Sequence, residues 1–268
     1  MILPASYQSG LAPRDGSPLY PELWRGCVGA WAPCLGPTGL TLRDWSGFGN
    51  HGTLTSGAQF GIRSGRNAVL LDGTDDYNEI NNTGTRIASN DNHAISIWFS
   101  VSSFANSPVL YSWYESATND LGFLEFNATG TQIFWGVRRT LSGQTSFRTY
   151  TGVNIGTGLN HLLMQKTGSG DAGNLYLNGL LLSSFSGVLY STPSQLSTLW
   201  LGKYVTGGFA TSGSVYDCAI FNRNVERHVG LLSRRPGIAY ELAPRRRSSV
   251  QVTASFNRRR RLLVGAGS

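Results

Sequence analysis

Apolar and polar residues alternate at period two over many short stretches of this chain, which is the pattern of β-strands. In the clearest stretch, Ile95, Ile97, Phe99 and Val101 alternate with Ser96, Trp98 and Ser100. Successive side chains of a strand point to opposite faces, so this alternation predicts a strand with one face on a core.

A β-hairpin is predicted at residues 175–182. Two apolar triplets flank Asn178-Gly179 there, and Asn-Gly readily adopts the positive φ angles of a type I′ turn. Further short strands are predicted at residues 69–71, 121–126, 132–137, 161–165, 198–201 and 215–221. The chain is therefore dominated by strands.

Only one helix is predicted. Val225, Val229 and Leu232 fall on one helical face, and Pro236-Gly237 ends the run. The 34 Gly, 10 Pro and only 14% charged residues suit many short strands joined by tight turns. We predict an all-β fold, an antiparallel two-sheet β-sandwich with one short helix, and 268 residues are enough to bury its core.

The net charge of +7 is concentrated towards the C-terminal end. Residues 223–268 hold 11 of the 22 Lys and Arg but only 2 of the 15 Asp and Glu. Arg outnumbers Lys by 20 to 2, which favours bidentate pairing with carboxylates over loose solvation. Two interpretations of this segment stay open, namely a solvated tail and an arm that docks on an acidic partner.

The three cysteines, Cys27, Cys34 and Cys218, lack the paired spacing of a zinc site. Cys218 fits a buried strand position, and a Cys27–Cys34 disulfide is left open. The N-terminal residues show no signal-peptide pattern, and no apolar run of about 18 residues predicts a membrane span.

The order of several motifs resembles that of laminin G-like domains, which belong to the concanavalin A-like jelly rolls. Gly29-Ala30-Trp31 is followed by residues 44–52, by Leu71-Asp72-Gly73-Thr74-Asp75-Asp76-Tyr77, and by Ser96-Ile97-Trp98. Residues 175–179 and 213–223 then match the closing strands. The resemblance implies a jelly roll at residues 26–235, an N-terminal extension at 1–25 and a basic C-terminal arm at 236–268.

The same resemblance implies a structural Ca²⁺ at the rim of the sandwich, since this hard cation takes six to eight oxygen ligands. The ligands assigned to it are Asp44, Asn50 and Asp72, with Asp75 and Asp76 also eligible. In the alternative interpretation, Asp44 and Asn50 cap a turn through bonds to its backbone. No other cofactor is expected.

Sugar binding usually needs an aromatic ring against the apolar face of a pyranose, with polar groups for the hydroxyls. Trp113, Tyr114 and Trp135 are the candidate glycan-binding residues. The alternative is that they are core residues, because Trp135 lies in an apolar strand and large aromatic residues of sandwiches are mostly buried.

No catalytic arrangement is recognisable, and the chain is expected not to be an enzyme. Related glucanases carry two Glu and an Asp along one strand, whereas Glu125 stands alone and Glu115 lies ten residues earlier. The four histidines lie in unrelated contexts without a Gly-x-Ser-x-Gly motif. We expect His161 to be a packed or hydrogen-bonded residue.

The arm combines arginine clusters with apolar residues. Its candidate partner-binding residues are Arg245, Arg246, Arg247, Phe256, Arg258, Arg259, Arg260 and Arg261. Between the clusters, Val250, Val252 and Ala254 alternate with polar residues. A laminin G-like domain followed by such an arm resembles structural proteins of tailed bacteriophages, whose terminal arms extend over neighbouring subunits.

This second resemblance implies a structural virion protein, in the first place a capsid decoration or cement protein on the capsid surface. Its partners would be copies of itself, a major capsid or other virion protein, and host glycans. The alternatives are a tail or fibre component and a free extracellular carbohydrate-binding or adhesion module. Nucleic-acid binding by the clustered arginines is a further interpretation that is not favoured.

Overall fold

The structure is a computed structural model that describes residues 18–81, 92–115, 120–139, 144–167, 172–185, 198–204 and 208–241. Within these ranges the chain forms two antiparallel sheets and one short helix. The predicted fold class, an antiparallel β-sandwich, is confirmed.

Sheet I contains the predicted hairpin and the longest strand. Its strands, numbered in chain order, are β1 (Cys27–Trp31), β4 (Gln59–Arg63), β5 (Arg66–Asp72), β7 (His93–Ser103), β12 (Asn160–Thr167), β13 (Ala172–Leu177), β14 (Leu180–Phe185) and β16 (Ser212–Phe221). They follow the order β14-β13-β12-β7-β16-β5-β4, and β1 also pairs with β16. Asn178 and Gly179 have φ of 52° and 84°, as the predicted type I′ turn requires.

Sheet II faces sheet I across the core. Its strands are β2 (Thr41–Leu42), β3 (Gly52–Thr55), β6 (Tyr77–Asn81), β8 (Val109–Glu115), β9 (Asp120–Phe126), β10 (Gln132–Arg139), β11 (Gln144–Thr151) and β15 (Thr198–Leu201). They follow the order β11-β10-β9-β8-β15-β6-β3-β2. The chain crosses between the two sheets several times, as a jelly roll does.

Aromatic residues join the two sheets inside the core. Phe99 of β7 stacks on Phe126 of β9, with ring centroids 5.5 Å apart. Trp135 of β10 contacts Phe185 of β14 with a centroid distance of 4.9 Å. Each buried side chain of this size contributes about 1.5–3 kcal/mol to folding, so such pairs hold the sheets together.

Residues 225–232 form a cap on part of the outer face of sheet I. A 3-10 turn at Glu226–His228 continues into α1 (Val229–Leu232). Val225, Val229 and Leu232 are buried against the sheet, as the sequence pattern predicted. The short helix is therefore part of the cap.

The cap also explains why β7 is buried on both faces. Trp98 points away from the core but is only 7% exposed, and its Nε1 donates a hydrogen bond to the Leu232 carbonyl of α1 at 2.9 Å. The alternation of β7 predicted one buried face. The other face is apolar enough at Trp98 to pack under α1.

The two ends of the described chain are bonded to each other and share one apolar cluster with Val225, Val229 and Leu232 of the cap. Trp24, in a 3-10 turn at Pro21–Trp24, donates from Nε1 to the Ala239 carbonyl at 2.8 Å. The Leu19 N–H donates to the Glu241 carbonyl at 2.6 Å. Residues within 18–25 and 236–241 therefore pack with the sandwich, outside the boundaries predicted at residues 26 and 235. Turns this short carry no periodic pattern in a sequence.

The outer face of sheet II is polar and partly exposed. In β6, Asn78 and Ile80 are buried while Tyr77 and Glu79 are partly exposed. The same alternation in β15 leaves Trp200 partly exposed between two buried leucines. The side chains on this face do not pack in the core and are accessible to solvent.

Cys27, Cys34 and Cys218 are free thiols, so the disulfide left open by the sequence is not formed. Over the described ranges, no helix has the length and apolar character needed to cross a membrane.

Candidate functional site

Asp44 organises a buried turn. Its Oδ1 accepts the N–H groups of Ala30 at 3.0 Å and Ser46 at 2.8 Å. Its Oδ2 accepts the Ser46 hydroxyl at 2.8 Å and the Asn50 N–H at 2.9 Å. Asp44 and Asn50 are 3% and 8% exposed. Both carboxylate oxygens are occupied by donors, which is the capping role that the sequence left open as an alternative to a metal site.

Asp72 lies far from this turn. Strand β16 measures the separation. Asp44 is bridged to Trp31, and Trp31 pairs with Cys218 of β16. Asp72 pairs with Ser212, which lies six residues earlier on β16. At about 3.3 Å per residue, that offset is about 20 Å. The predicted metal set of Asp44, Asn50 and Asp72 is therefore wrong as a single site, because the order of motifs along a chain does not give their spacing in the fold.

Asp72 instead joins an acidic loop between β5 and β6. One carboxylate oxygen from each of Asp72, Asp75 and Asp76 lies within 4.8 Å of the others. Asp72 accepts the Thr74 N–H at 2.7 Å, and this bond holds the pKa of Asp72 below its usual value. The Oδ2 of Asp76 accepts the Asp72 N–H at 2.9 Å. We call Asp72, Asp75 and Asp76 the acidic loop.

Asp76 makes the acidic loop a candidate metal centre. It is 5% exposed, and burial raises the pKa of its carboxyl group. Its Oδ1 is buried and has no hydrogen-bond partner among the described residues. Buried polar atoms normally have partners, and three carboxylates are a ligand set that suits Ca²⁺.

The aromatic residues chosen from the sequence do not form an exposed surface. Trp113 and Trp135 are 7% and 4% exposed and belong to the core. The predicted glycan site is wrong for these two residues, and the alternative of burial is correct. Tyr114 lies in β8, and its side chain is outside the described part of the structure.

A different aromatic pair lies on the outer face of sheet II. The rings of Tyr77 and Trp200 stack with centroids 3.9 Å apart and planes 25° apart. Trp200 lies between Ser112 of β8 and Glu79 of β6 in the strand register. Tyr77 is the first residue of β6 and directly follows the acidic loop. We call Tyr77 and Trp200 the aromatic platform.

Charged groups surround the aromatic platform. The Lys203 Nζ lies 5.5 Å from the centroid of the Tyr77 ring and donates to the Asp75 carbonyl at 3.5 Å. Glu79 is paired with Trp200 and shares its face of the sheet. Aromatic rings with an ammonium group and carboxylates beside them have the composition of a site for a polar ring such as a sugar.

The sequence carries a signal for this platform in the alternation of two short strands. Trp200 stands between Leu199 and Leu201, and Tyr77 and Glu79 alternate with buried residues of β6. The period of two along these short strands places all three side chains on the outer face. Residue type alone does not separate Trp200 from Trp113 and Trp135, because all three are tryptophans.

A second aromatic group surrounds Glu125. The ring centroid of Tyr204 lies 5.4 Å from that of Phe123 and 5.8 Å from that of Phe209. The Tyr204 hydroxyl donates to the Glu125 Oε2 at 2.9 Å, and burial raises the pKa of Glu125. Phe209 is 47% exposed. Glu125 is thus engaged in a hydrogen bond that fixes the loop after β15.

His161 is a packed residue, as predicted. Its Nε2 lies 2.8 Å from the Ser96 hydroxyl, and its ring contacts Trp98 with a centroid distance of 4.9 Å. The side chain is fully buried, and burial lowers its pKa to about 3. Within the described ranges Nδ1 has no partner to orient it as a base. This pair has the contacts of a core hydrogen bond.

The predicted partner-binding residues of the arm fall outside the described residues. They are Arg245, Arg246, Arg247, Phe256, Arg258, Arg259, Arg260 and Arg261. The structure describes the chain as far as Glu241, whose carbonyl accepts the Leu19 N–H.

Comparisons with known proteins show the fold. No protein family model matches the chain, and no curated protein sequence matches it. Among solved structures, it is similar to the binding domain of botulinum neurotoxin serotype G (TM-score 0.57, 13% identity, 77% of this chain and 50% of that one) and of serotype D (TM-score 0.59, 14% identity, 78% and 52%). The binding domain of botulinum neurotoxin DC in complex with rat synaptotagmin II is similar too (TM-score 0.60, 11% identity, 78% and 51%). The chain spans about half the length of these structures, each of which is a neurotoxin binding domain.

Proposed function

We propose that this chain is a non-enzymatic carbohydrate-binding module whose recognition surface is the aromatic platform. The observation that carries this proposal is the Tyr77–Trp200 stack on the outer face of sheet II, with Glu79 and Lys203 beside it. The apolar face of a pyranose packs on such rings, while a carboxylate and an ammonium group bind its hydroxyls. The binding domains that share the fold support a role in recognition.

The aromatic platform is small, so we expect each copy to bind a glycan weakly. Because the two rings stack on each other, the pair offers an outer ring face to one sugar unit and leaves most of an oligosaccharide in water. Single-site affinity is therefore low, and several copies are needed for stable attachment. A module that works in this way gains from being displayed many times on one particle.

A glycan array probed with multimerised full-length protein tests the platform. We expect signal for a restricted set of glycans, and we expect Trp200→Ala to remove it while circular dichroism shows an unchanged fold. Phe48→Ala is the matched control, because Phe48 is 63% exposed and lies on the Asp44 turn. Background signal for the wild type, or equal binding by Trp200→Ala, would overturn the proposal.

We further propose that residues 242–268 attach the module to a virion, as a capsid decoration protein. The support is the composition of this segment, in which arginine clusters flank alternating apolar residues. A tail kept soluble by charge alone gains nothing from exposed apolar groups. Arginine pairs with carboxylates would set the position of the arm on its partner.

Peptide mass spectrometry of purified particles tests this attachment. Copies by the hundred per particle are expected for a decoration protein, whereas a handful would indicate a tail or fibre component. Absence of the protein from particles would favour the alternative of a free extracellular module. The chain with residues 242–268 deleted should keep its fold and lose its place on particles, and full retention would show that the globular face makes the attachment.

A further inference from the structure

Strand β14 is an apolar edge of sheet I. It stands at the end of the strand order and, in the part of the chain that the structure describes, pairs only with β13. Leu180, Leu181 and Leu182 are 73%, 54% and 38% exposed. Three consecutive exposed leucines on a strand with one open edge are a surface on which another strand can pack.

The edge lacks the features that usually prevent strand pairing. Exposed edges of soluble proteins commonly carry lysine or arginine, proline, or a very short strand. The opposite edge of sheet I, strand β4, ends in Arg63 and turns into Arg66. β14 has six residues with neither a charge nor a proline. Of the two edges of sheet I, β14 is therefore the one more open to an added strand.

The leucines present apolar groups on both faces of the edge. Leu180 is paired with Leu177, which lies in the core, so Leu180 extends the core face. Leu181 is paired with Tyr176, which packs under the cap, so Leu181 extends the outer face. A strand added beside β14 would therefore cover apolar surface on each side, in addition to forming backbone hydrogen bonds.

We infer that the β14 edge binds residues 248–256 from the arm of a second copy of this chain. In that segment Val250, Val252, Ala254 and Phe256 alternate with polar residues, which is the period of a strand with one apolar face. Arginine clusters lie on both sides of it. Addition of this strand leaves the clusters at the two ends of β14.

The reach of the arm favours a second copy over the arm of the same chain. Near its described end the chain is tied to β16, because the Gly237 N–H donates to the Asp217 carboxylate. A strand added beyond β14 lies five strand positions from β16, or about 24 Å at 4.8 Å per strand. From Glu241 to residue 248 there are seven residue steps, which span at most about 25 Å when fully extended. An arm that returned to its own β14 would have to run straight and fully extended, whereas the arm of a neighbour has no such constraint.

A carboxylate lies close to the edge on the cap side. Glu226 accepts a hydrogen bond from the Tyr176 hydroxyl at 3.1 Å, and Tyr176 is the register partner of Leu181. Glu226 is exposed, so it can pair with an arginine of the incoming arm. This pairing would set the direction and register of the added strand.

Light scattering after size exclusion, on the full chain over a range of concentrations, tests the inference. We expect an oligomer whose dissociation constant rises at least tenfold in Leu181→Lys, which places a charge on the edge, and in Val252→Pro, which removes a strand hydrogen bond but keeps every arginine. Ile62→Lys is the matched control, because Ile62 is 74% exposed on the opposite edge strand β4. It should assemble like the wild type.

Hydrogen exchange supplies a second measurement on the same proteins. Amides of Leu180–Phe185 should exchange at least tenfold more slowly in the wild-type oligomer than in Val252→Pro. A wild type that is monomeric at every concentration overturns the inference, and a monomer with slow β14 amides would show that the arm of the same chain binds there. An oligomer that neither variant weakens would place the interface elsewhere. None of these outcomes depends on what the aromatic platform binds.

Discussion

Asp217 and Gly237 are joined by a partly buried hydrogen bond in which the Gly237 N–H donates to the Asp217 Oδ2 at 2.8 Å. Asp217 lies on β16 and is 8% exposed. Burial raises its pKa to about 7, even though the N–H groups of Gly237 and Cys218 act in the opposite direction. This carboxyl group ties the sandwich to the segment that leads to the arm.

The raised pKa predicts that the stability of the fold depends on pH. A carboxyl group with a folded pKa of about 7 and an unfolded pKa near 3.8 contributes stability that is complete below pH 3.8 and is lost as the pH rises through 7. Asp217→Asn keeps an acceptor for the Gly237 N–H and cannot ionise. We expect it to raise the melting temperature at pH 8, by a free energy on the order of a few kcal/mol, and to change it little at pH 4. A destabilised variant at pH 8 would contradict this.

The acidic loop predicts stabilisation by Ca²⁺. Binding to the folded state alone raises the melting temperature by mass action, so excess Ca²⁺ should raise it relative to EDTA. Asp76→Asn should abolish this difference, because it removes a ligand charge and the unpaired oxygen. Asp44→Asn is the control and should keep the response, since Asp44 lies in another turn. Equal melting temperatures for the wild type in Ca²⁺ and EDTA would exclude the metal site.

The Asp44 turn predicts a large loss of stability on substitution. Asp44→Asn replaces one acceptor oxygen with an NH₂ group that faces donors, including the N–H of Asn50. Leaving buried donors unpaired and losing bonds to a charged acceptor should cost about 3 kcal/mol in the free energy of unfolding. Urea denaturation measures this cost. Phe48→Ala in the same turn removes only an exposed ring and should stay within about 0.5 kcal/mol of the wild type.

Gly122 predicts a steric effect in the core. A Cβ at this position would lie 1.7 Å from Cε2 of Trp113, whose ring crosses β9. Gly122→Ala should therefore displace Trp113 and lower stability by about 1–3 kcal/mol. Gly158→Ala is a matched control because its Cβ would meet no atom within 4 Å. Thermal unfolding followed by tryptophan fluorescence compares the two variants, and equal stability would show that the core can adjust around Trp113.

Sequence patterns predict a structural feature correctly where that feature depends on one element of the chain. The alternation of β7, the Asn178-Gly179 turn and the apolar face of Val225, Val229 and Leu232 each reflect one element and the side on which it is buried. His161 was also interpreted correctly, because a lone histidine in an apolar strand is most simply packed. Such patterns are enough for the class of fold.

The composition of the site was decided by tertiary structure. Asp44 and Asp72 both lie in motifs that resemble laminin G-like domains, yet the strand register along β16 separates them by about 20 Å. Trp113 and Trp200 are chemically alike, but one faces the core and the other faces outward. A sequence gives residue types and the period of a strand, whereas which face each strand turns to solvent depends on how the two sheets and the cap bury one another.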